Sequence, residues 1–380
     1  MKPVYLDNAA TSHPKPESVY QAVLQTLRAG GSPGRGHHER ARAADRLIFE
    51  TRELLAELFK VTDSERFVFT PNATLAINQA LFGVLKPGDR VVTTGLEHNA
   101  VARPLRALMD QGVEVVKVAA DPVSGVVNSA SLKRACLEQA TRLLVVNHCS
   151  NVIGSLQPIE ELGPWCRAEN ILFMVDGSQS AGAFPIDFNV AGVDMFAAPG
   201  HKSLLGPQGT GFLYVRTGIE LNPLIYGGTG VNSHSDLQPD DLPEQLECGT
   251  MNLPGLAGLK AGVAYILEQG VEQIRRREMS LVQKLLVGLR AMPHIDLYGP
   301  QHAEQRCAAI SFNVKGRDPA EIGFLLDREK GISVRVGLHC APDAHRTIGT
   351  YPEGTVRISP GYFTTDIEID YFLAVMNDIS

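Results

Sequence analysis

The residues from Ala198 to Tyr214, APGHKSLLGPQGTGFLY, place one lysine, Lys202, directly after a histidine and between two turns that contain Pro and Gly. Proline removes a backbone donor and glycine disfavours helix on entropic grounds, so we expect this lysine to lie on a loop. A lysine that is partly desolvated among apolar residues has a lowered pKa, and its free amine can form a Schiff base. The alternative, on these residues alone, is an ordinary solvated loop lysine.

Other polar residues follow short apolar runs that are typical of buried strands. The carboxyl ends of parallel strands meet at one edge of a sheet, and ligands bind there. FTPNAT ends one such run and begins a helix, so the amides around Ala73 and the hydroxyl of Thr74 are suited to a phosphate. Singly, such residues are more often turn formers or helix caps, but together they indicate one ligand site. The other members of the set are His98, Asn147, His148, Asn151, Asp176, Gln179, His201 and Lys202.

Seven apolar runs rich in β-branched residues predict the strands of a sheet that is buried on both faces. They span 67–70, 90–94, 113–118, 142–147, 171–176, 194–198 and 211–215. Helical patterns separate or precede them at 17–29, 39–60, 74–83, 100–110, 131–139 and 159–168. This alternation predicts an α/β domain with a mainly parallel sheet.

The pattern changes after about residue 255. We expect a long helix from roughly 256 to 292, broken near Gly270, and then fewer strands interspersed with helices. This mixture predicts a smaller α+β domain in the C-terminal third of the chain. Its predicted elements are a strand at 308–314, a helix at 318–329, strands at 332–337 and 355–359, and a final helix at 366–379.

Composition limits the partners of the protein. The chain has 380 residues, of which 44% are hydrophobic and 20% charged, and a formal net charge of -7. A negative balance argues against a nucleic-acid or anionic-membrane partner, since either normally requires a basic face. The N-terminus lacks the pattern of a signal peptide and no apolar run is long enough to span a membrane, so we expect a cytoplasmic protein. Its six cysteines form no CxxC pair; we expect free thiols and no metal ion.

Six motifs follow one another along the chain: YLDNAATS (5–12), EHNA (97–100), VDGSQSAG (175–182), GHK (200–202), RVGLHCAP (335–342) and TVRIS (355–359). In this order they resemble the aminotransferase class V group of pyridoxal-phosphate enzymes, and within it the cysteine desulfurases and selenocysteine lyases. The RVGLHCAP motif is similar to that of the SufS-like enzymes, which have a short catalytic-cysteine loop. The resemblance implies the type I fold of pyridoxal-phosphate-dependent transferases, with a large domain over 15–255 and a small domain formed by 1–14 and 256–380.

The same resemblance implies that the cofactor is pyridoxal 5'-phosphate, held by Lys202 as a Schiff base. Asp176 would pair with the pyridine nitrogen, and His98 would stack on the ring and take part in catalysis. Gln179 and Asn151 would hydrogen-bond the phenolic oxygen of the ring. The phosphate would be held by Ala73, Thr74, Ser178 and His201.

Two further motifs imply contacts across a homodimer or at the substrate. Thr250, in CGTMNLPG, resembles the family threonine that reaches the phosphate of the partner subunit, which implies a homodimer with shared active sites. RGHHERA (35–41) matches the region where the family has an active-site histidine. His38 is the candidate for that residue, and His37 competes with it.

The resemblance implies that Cys340 attacks the sulfur of the bound substrate and leaves alanine and an enzyme persulfide, which a protein acceptor then receives. Arg335 and His339 lie near Cys340 in sequence, and their charge would favour the nucleophilic thiolate. Arg357 in TVRIS resembles the arginine that grips the substrate carboxylate, a task suited to a guanidinium. Arg335 is a second candidate, and His38 and Asn151 complete the expected substrate site for L-cysteine or L-selenocysteine.

Two alternatives remain open from sequence. The chain could be another enzyme of the same class, an aminotransferase, epimerase or kynureninase-like hydrolase, in which Cys340 is not catalytic. A non-catalytic scaffold for sulfur-transfer partners predicts the loss of Lys202, Asp176 or His98, and all three are present. The chain also departs from the SufS-like pattern in the four residues SLLG after Lys202 and in the segment after Cys340. These departures leave the subfamily, the acceptor and the choice between sulfur and selenium open.

Overall fold

The computed structural model describes residues 3–34, 36–231 and 234–379, and within them the chain forms two main sheets. The larger sheet has seven strands and lies in the first two thirds of the chain. In chain order, the strands of the described residues are β1 (Val4–Tyr5), β2 (Phe67–Thr70), β3 (Arg90–Thr94), β4 (Glu114–Val118), β5 (Leu143–Asn147), β6 (Leu172–Asp176), β7 (Met195–Pro199), β8 (Gly211–Val215), β9 (Ile295–Tyr298), β10 (Ile310–Val314), β11 (Ile332–Ser333), β12 (Arg335–Gly337) and β13 (Thr355–Ile358).

The large sheet has the order β2-β8-β7-β6-β5-β3-β4, and only β8 runs antiparallel to its neighbours. All seven predicted strands are confirmed to within one residue at each end, as is the mainly parallel α/β architecture. The expectation that the run at 113–118 is buried on both faces is wrong. The strand β4 lies at the sheet edge, and Glu114 and Lys117 are exposed there.

The helices connect the strands and pack against the faces of the sheets. The predicted break near Gly270 is confirmed: α7 ends there and α8 begins at the next residue. Gly270 has a φ of 82°, a conformation that glycine adopts without a steric penalty. None of the described helices is both long and apolar enough to cross a membrane. They are α1 (Glu17–Ala29), α2 (Glu39–Phe59), α3 (Ala73–Val84), α4 (Asn99–Asp110), α5 (Ser129–Leu137), α6 (Ile159–Ala168), α7 (Leu253–Gln269), α8 (Val271–Arg290), α9 (Pro319–Arg328), α10 (Pro342–Thr347) and α11 (Asp366–Asp378).

The smaller sheet is antiparallel, with the order β12-β13-β10-β9, and β1 pairs in parallel with β11 beside it. The single strand predicted at 332–337 is therefore two strands, because β11 and β12 pair with different partners. Val4 and Leu6, near the N-terminus, share a hydrophobic core with residues of this sheet, whereas α7 packs against α1 and α2. The division into domains at residues 15 and 255 stays a prediction.

Phenylalanines form the centre of the core beneath the large sheet. The rings of Phe59 and Phe188 are stacked with centroids 4.5 Å apart, and Phe196 lies 4.7 Å from Phe188. Each of these side chains is at most 1% exposed. Aromatic rings bury a large apolar area, so this cluster contributes strongly to the stability of the layer that carries β6 and β7.

Replacing Phe188 with alanine should therefore destabilise the protein strongly. We expect Phe188→Ala to lower the free energy of unfolding by about 3 to 5 kcal/mol, the usual cost of emptying a buried aromatic site. Urea unfolding followed by circular dichroism measures this change. Phe324→Ala is the matched control, because Phe324 is 65% exposed and its loss should change stability by no more than about 0.5 kcal/mol. Equal effects of the two substitutions would contradict the prediction.

Candidate active site

The parallel strands of the large sheet bring polar residues together at its carboxyl edge. Asn147 at the end of β5 stands directly opposite Asp176 at the end of β6, and Asp176 stands opposite Ala197 on β7. Lys202 follows the end of β7 by three residues. Strand register alone therefore places a carboxylate beside the loop that carries the lysine.

Lys202 lies in a turn between β7 and β8, so the loop predicted from the flanking Pro and Gly residues is confirmed. Its side chain is partly buried, and burial lowers the pKa of the amine to about 8. The carboxylate of Asp176 opposes this shift, and the guanidinium of Arg357 adds to it. At neutral pH a substantial minority of the amine is unprotonated, which makes Lys202 far more nucleophilic than a solvated lysine.

His98 begins the helix α4 as its N-cap, and Nδ1 of its ring accepts a hydrogen bond of 3.0 Å from the amide of Ala100. Burial and the charge of Lys202 lower the pKa of His98 to about 4. The ring is therefore neutral, and because Nδ1 accepts, the proton is on Nε2. A neutral imidazole of fixed tautomer is suited to lie against an aromatic ligand.

The N-terminus of α3 provides amide donors for an anion. Asn72 caps the helix by accepting the amide of Leu75 at 2.9 Å. Among the described residues, the amides of Ala73 and Thr74 have no hydrogen-bond partner, and the Thr74 side chain is exposed. Free amides in the first turn of a helix, aligned with its dipole, attract a phosphate.

Ser178 and His201 offer hydrogen-bonding groups to an anion but no positive charge. The amide of Ser178 already donates to Asp176 Oδ1 at 2.9 Å, which leaves its hydroxyl available. His201 has a buried Nδ1 with no partner among the described residues. Burial and the charge of Lys202 lower the pKa of His201 to about 4, so its ring is neutral and acts through a hydrogen bond rather than a charge.

Each of the two amide side chains expected at the cofactor ring donates one N–H to a main-chain carbonyl. Asn151 donates to the carbonyl of His339 at 2.7 Å, and Gln179 donates to that of Ala9 at 3.0 Å. Oδ1 of Asn151 is buried and has no partner among the described residues. Each amide retains a second N–H, so both side chains are positioned with spare capacity for a ligand.

Cys340 follows β12 and is the one exposed cysteine of the six; four of the others are buried and Cys248 is partly buried. Nη2 of Arg335 lies 3.3 Å from its Sγ. The amide of Asn99, which follows His98, donates to the Cys340 carbonyl at 2.8 Å. This bond fixes the thiol loop against the start of α4.

The expectation that His339 supplies positive charge to the thiol is wrong. His339 is 2% exposed, and burial together with Arg357 lowers its pKa well below the ordinary value. Its Nε2 lies 3.0 Å from the hydroxyl of Thr355. The ring is a neutral part of the packing, and Arg335 is the cation at Cys340.

The two arginines predicted to hold a carboxylate are neighbours across β12 and β13, where Arg335 stands opposite Arg357. Arg357 is 1% exposed and donates through Nη2 to Asp7 Oδ1 at 2.8 Å and through Nη1 to the carbonyl of Asn151 at 2.8 Å. Its Nε is buried without a partner among the described residues. Two guanidiniums with one carboxylate leave a local excess of positive charge that favours a second carboxylate.

His38 and Thr250 do not join this cluster within the chain. Nδ1 of His38 accepts the amide of Ala41 at 3.2 Å and caps α2, and its side chain is exposed, as is that of His37. Thr250 is also exposed and lines a surface cleft of about 400 Å³ together with Gly34. Among the described residues, no hydrogen bond connects either side chain to the residues around Lys202.

Comparison with known proteins agrees with this geometry. The model of the family described as "Aminotransferase class-V" matches residues 4–372. The chain belongs to the aminotransferase class-V family. This class-V chain is 35% identical to a probable cysteine desulfurase of Methanothermobacter thermautotrophicus, over 99% of its own length and 94% of the relative's. It is 33% identical to a cysteine desulfurase of Yersinia pseudotuberculosis, over 89% and 84% of the two chains.

Solved structures place the class-V chain among the same relatives. The apo structure of a cysteine desulfurase from Thermococcus onnurineus superposes with a TM-score of 0.92 at 31% identity, covering 99% of this chain and 94% of that one. The cysteine desulfurase CsdA of Escherichia coli gives a TM-score of 0.87 at 27% identity, with the same coverage. The predicted type I fold and the likeness to cysteine desulfurases are confirmed.

Sequence reasoning missed a buried acid in this class-V site. Glu97 is 2% exposed; its Oε1 accepts from the Thr94 hydroxyl at 2.7 Å and from the amide of Asn147 at 3.1 Å. Burial raises the pKa of Glu97 to about 8, so the carboxyl is largely protonated at neutral pH. Its position directly after a buried strand was a usable signal. Asp7, Ser12 and Lys15 were also missed, because their contacts cross large sequence separations.

The members of this family use pyridoxal phosphate, and the residues present fit that group. Lys202 provides an amine of lowered pKa beside the Asp176 carboxylate, and α3 offers free amides for the phosphate. The buried Nδ1 of His201 and Oδ1 of Asn151, which have no partner in the part of the chain that the structure describes, are polar atoms with which a ligand can pair. Buried polar atoms without partners are costly, which favours a ligand that pairs with them.

The lowered pKa of Lys202 predicts how fast cofactor-free protein captures pyridoxal phosphate. Only the unprotonated amine reacts, so the capture rate should rise with pH and reach half its maximum near pH 8, rather than near the 10.5 of an ordinary lysine. Borohydride trapping at a series of pH values, followed by peptide mass spectrometry, measures modification at residue 202. Lys202→Arg should show no trapping at that position. A midpoint above pH 10 for the unaltered protein would contradict the burial argument.

Proposed function

We propose that this class-V protein is a pyridoxal-phosphate-dependent cysteine desulfurase, which converts L-cysteine to L-alanine and takes the sulfur onto Cys340. The observation that carries the proposal is the exposed Cys340 thiol, 3.3 Å from Arg335 Nη2 and tied to the residue after His98. The thiolate is the nucleophilic form of a cysteine, and the Arg335 guanidinium lies within hydrogen-bonding contact of this sulfur. The relatives of 31–35% identity that are described as cysteine desulfurases support this reading.

Arg357 and Arg335 would bind the α-carboxylate of the substrate. Arg357 is held by Asp7 on one side and by the Asn151 carbonyl on another, and within the described part of the chain its buried Nε has no partner. A guanidinium already oriented in this way loses little side-chain entropy when it takes a carboxylate. The carboxylate would thus set the position of the substrate sulfur relative to Cys340.

The cofactor site would be built around Lys202. Pyridoxal phosphate, when bound, supplies an electron sink that stabilises negative charge at the substrate Cα. Lys202 would hold the cofactor and then move the proton from Cα, a task suited to an amine with a pKa near 8. Asp176 would hold a proton on the pyridine nitrogen, and the neutral His98 ring would lie against the cofactor face. The Asn151 and Gln179 amides would bind its phenolic oxygen.

The phosphate of the cofactor would lie at the start of α3. The free amides of Ala73 and Thr74 would bind it, and the hydroxyls of Thr74 and Ser178 and the neutral His201 ring would add hydrogen bonds. None of these groups carries a formal positive charge. The helix dipole and the hydrogen bonds would therefore provide most of the attraction.

The sulfur-transfer step balances without an external oxidant. The Cys340 thiolate attacks the substrate sulfur, so an S–S bond forms while the substrate Cβ–S bond breaks. The electron pair of the broken bond stays with the carbon skeleton, which becomes alanine after protonation. Cys340 is left as a persulfide, and its outer sulfur passes to a thiol acceptor. The exposure of Cys340 supports such an acceptor step, because a protein thiol can reach it.

We also propose that the enzyme is a homodimer with shared sites. The side chains of His38 and Thr250 are exposed at the surface of their own chain, as expected of residues that complete a partner's site. Large apolar side chains on or near the same cleft are also exposed, among them Phe49, Ile225, Tyr226 and Val231. Such a patch is typical of a protein interface.

The six free thiols support a cytoplasmic location.

Replacing Cys340 tests the persulfide step. Cys340→Ser should retain the yellow visible band of the cofactor-bound protein and yet form alanine from L-cysteine at least about 100-fold more slowly, because it removes the nucleophile. Alanine and sulfide are measured in the presence of dithiothreitol. Cys248→Ser serves as the control, because the Cys248 side chain is partly buried and hydrogen-bonds the Ile225 carbonyl. Undiminished alanine formation by Cys340→Ser would exclude the proposed step.

A comparison of substrates tests the reaction class. L-Cysteine, L-selenocysteine and cysteine sulfinate should all be assayed with alanine as the common product. We expect alanine from L-cysteine, with dependence on Cys340. Selenocysteine turnover that survives Cys340→Ser would identify an additional selenocysteine lyase activity that does not need the thiol. Alanine from none of the three would favour another class-V reaction, such as transamination or epimerisation.

A further inference from the structure

The N-terminal segment from Thr11 to Lys15 lies against the backbone of His201 and Lys202. The hydroxyl of Thr11 and the amide of Ser12 each donate to the carbonyl of His201 at 3.1 Å, and the Ser12 hydroxyl lies 3.2 Å from the same carbonyl. The Ser12 hydroxyl also lies 2.7 Å from the carbonyl of Lys202. A segment nearly 190 residues away in sequence thus touches the two residues on which the cofactor would depend.

Lys15 completes this contact with a charged group. Its Nζ donates to the Ser12 hydroxyl at 2.6 Å and to the His201 carbonyl at 2.7 Å. Among the described residues, no carboxylate lies within ion-pair distance of Lys15. The side chain is partly buried, and burial lowers its pKa to about 8. Leaving a lysine without a counter-ion in such a position costs free energy, so its hydrogen bonds to the loop are what hold it there.

The local sequence directs this side chain. Lys15 stands between Pro14 and Pro16, whose rings restrict the backbone before α1 begins at Glu17. The amide of Lys15 donates to the hydroxyl of Tyr20 at 3.0 Å, which ties this turn to the first helix. The ammonium therefore reaches the His201 carbonyl from a backbone with few alternative conformations.

We infer that Lys15 is a positioning residue of the cofactor site, which acts through Ser12 to fix the main chain of His201 and Lys202. This inference rests on the proposed function, because the loop matters chemically only if Lys202 holds the cofactor. The Lys202 amine must meet one carbon atom of its ligand, and misplacement by about 1 Å in such a geometry is costly. Two charge-assisted hydrogen bonds on the preceding carbonyl and on Ser12 restrict that movement.

The test compares Lys15→Met with the unaltered holoenzyme. Methionine keeps an apolar stem of similar length but removes the charge and the donors. We expect the dissociation constant for pyridoxal phosphate to rise about 10-fold, the size of one lost charge-assisted hydrogen bond. We also expect weaker visible circular dichroism per bound cofactor and a lower kcat with little change in the KM for L-cysteine. A purely structural role would lower the melting temperature and leave the dichroism per cofactor unchanged.

Hydrogen exchange tests the same inference without cofactor. The amide of Leu205 donates to the Lys202 carbonyl at 2.9 Å, and the amide of Gly206 donates to the Gly200 carbonyl at 2.8 Å. In cofactor-free Lys15→Met, peptides that cover these two amides should exchange faster than in the unaltered protein. If the unaltered protein binds no pyridoxal phosphate, the proposed function fails, and this exchange still decides whether Lys15 fixes the loop.

Two further variants make the result decisive. Ser12→Ala removes the relay and should reproduce the effects of Lys15→Met, and the double variant should be little worse than either single one, because the two residues act in one network. Lys86→Met is the matched control at an exposed lysine, and it should change none of these measurements. The inference is overturned if Lys15→Met and Ser12→Ala match the control in cofactor affinity, dichroism and loop exchange.

Discussion

The buried guanidinium of Arg357 holds together the parts of the chain that make the site. It joins Asp7 near the N-terminus, the Asn151 carbonyl after β5 and the small sheet that carries its own strand. An almost fully buried cation must be paired, and removing one partner of such a pair costs about 3 to 5 kcal/mol. The cysteine loop and the lysine loop lie on different sheets, and this arginine helps to keep their relative position fixed.

Local pattern was sufficient to predict most of the fold. The seven runs of β-branched residues became the seven strands of the large sheet. Six of them are apolar because they are covered on both faces, whereas the edge strand β4 keeps exposed polar residues. The short strands β1 and β9 and the six-residue helix α10 were not predicted. The strand β1 has only two residues and exists through its pairing with β11, more than 320 positions away. Pairing of that kind leaves no periodic signal in the sequence.

Some residues of the candidate site were predictable from local sequence pattern, and others were not. Lys202, Asp176 and His98 were predictable, because each follows a strand of the large sheet and register brings strand ends together. The neutral state of His339 was not predictable, since it depends on burial and on Arg357 rather than on neighbours in sequence. Asp7 and Lys15 were missed for a similar reason, because their partners are fixed by tertiary contacts. The residue types in the sequence indicated the chemistry of the site. Burial in the folded protein then determined which of these side chains are charged.

The loop that presents the thiol is under backbone strain. His339 and Cys340 have φ angles of 49° and 60°, a region in which residues other than glycine are disfavoured by about 1 to 2 kcal/mol each. Glycine would relieve this strain at either position, yet it would remove the imidazole or the thiol. The bonds from Asn151 and Asn99 to the two carbonyls hold the strained turn in place. The strain thus costs the folded chain thermodynamic stability while it keeps the Cys340 thiol exposed beside Arg335.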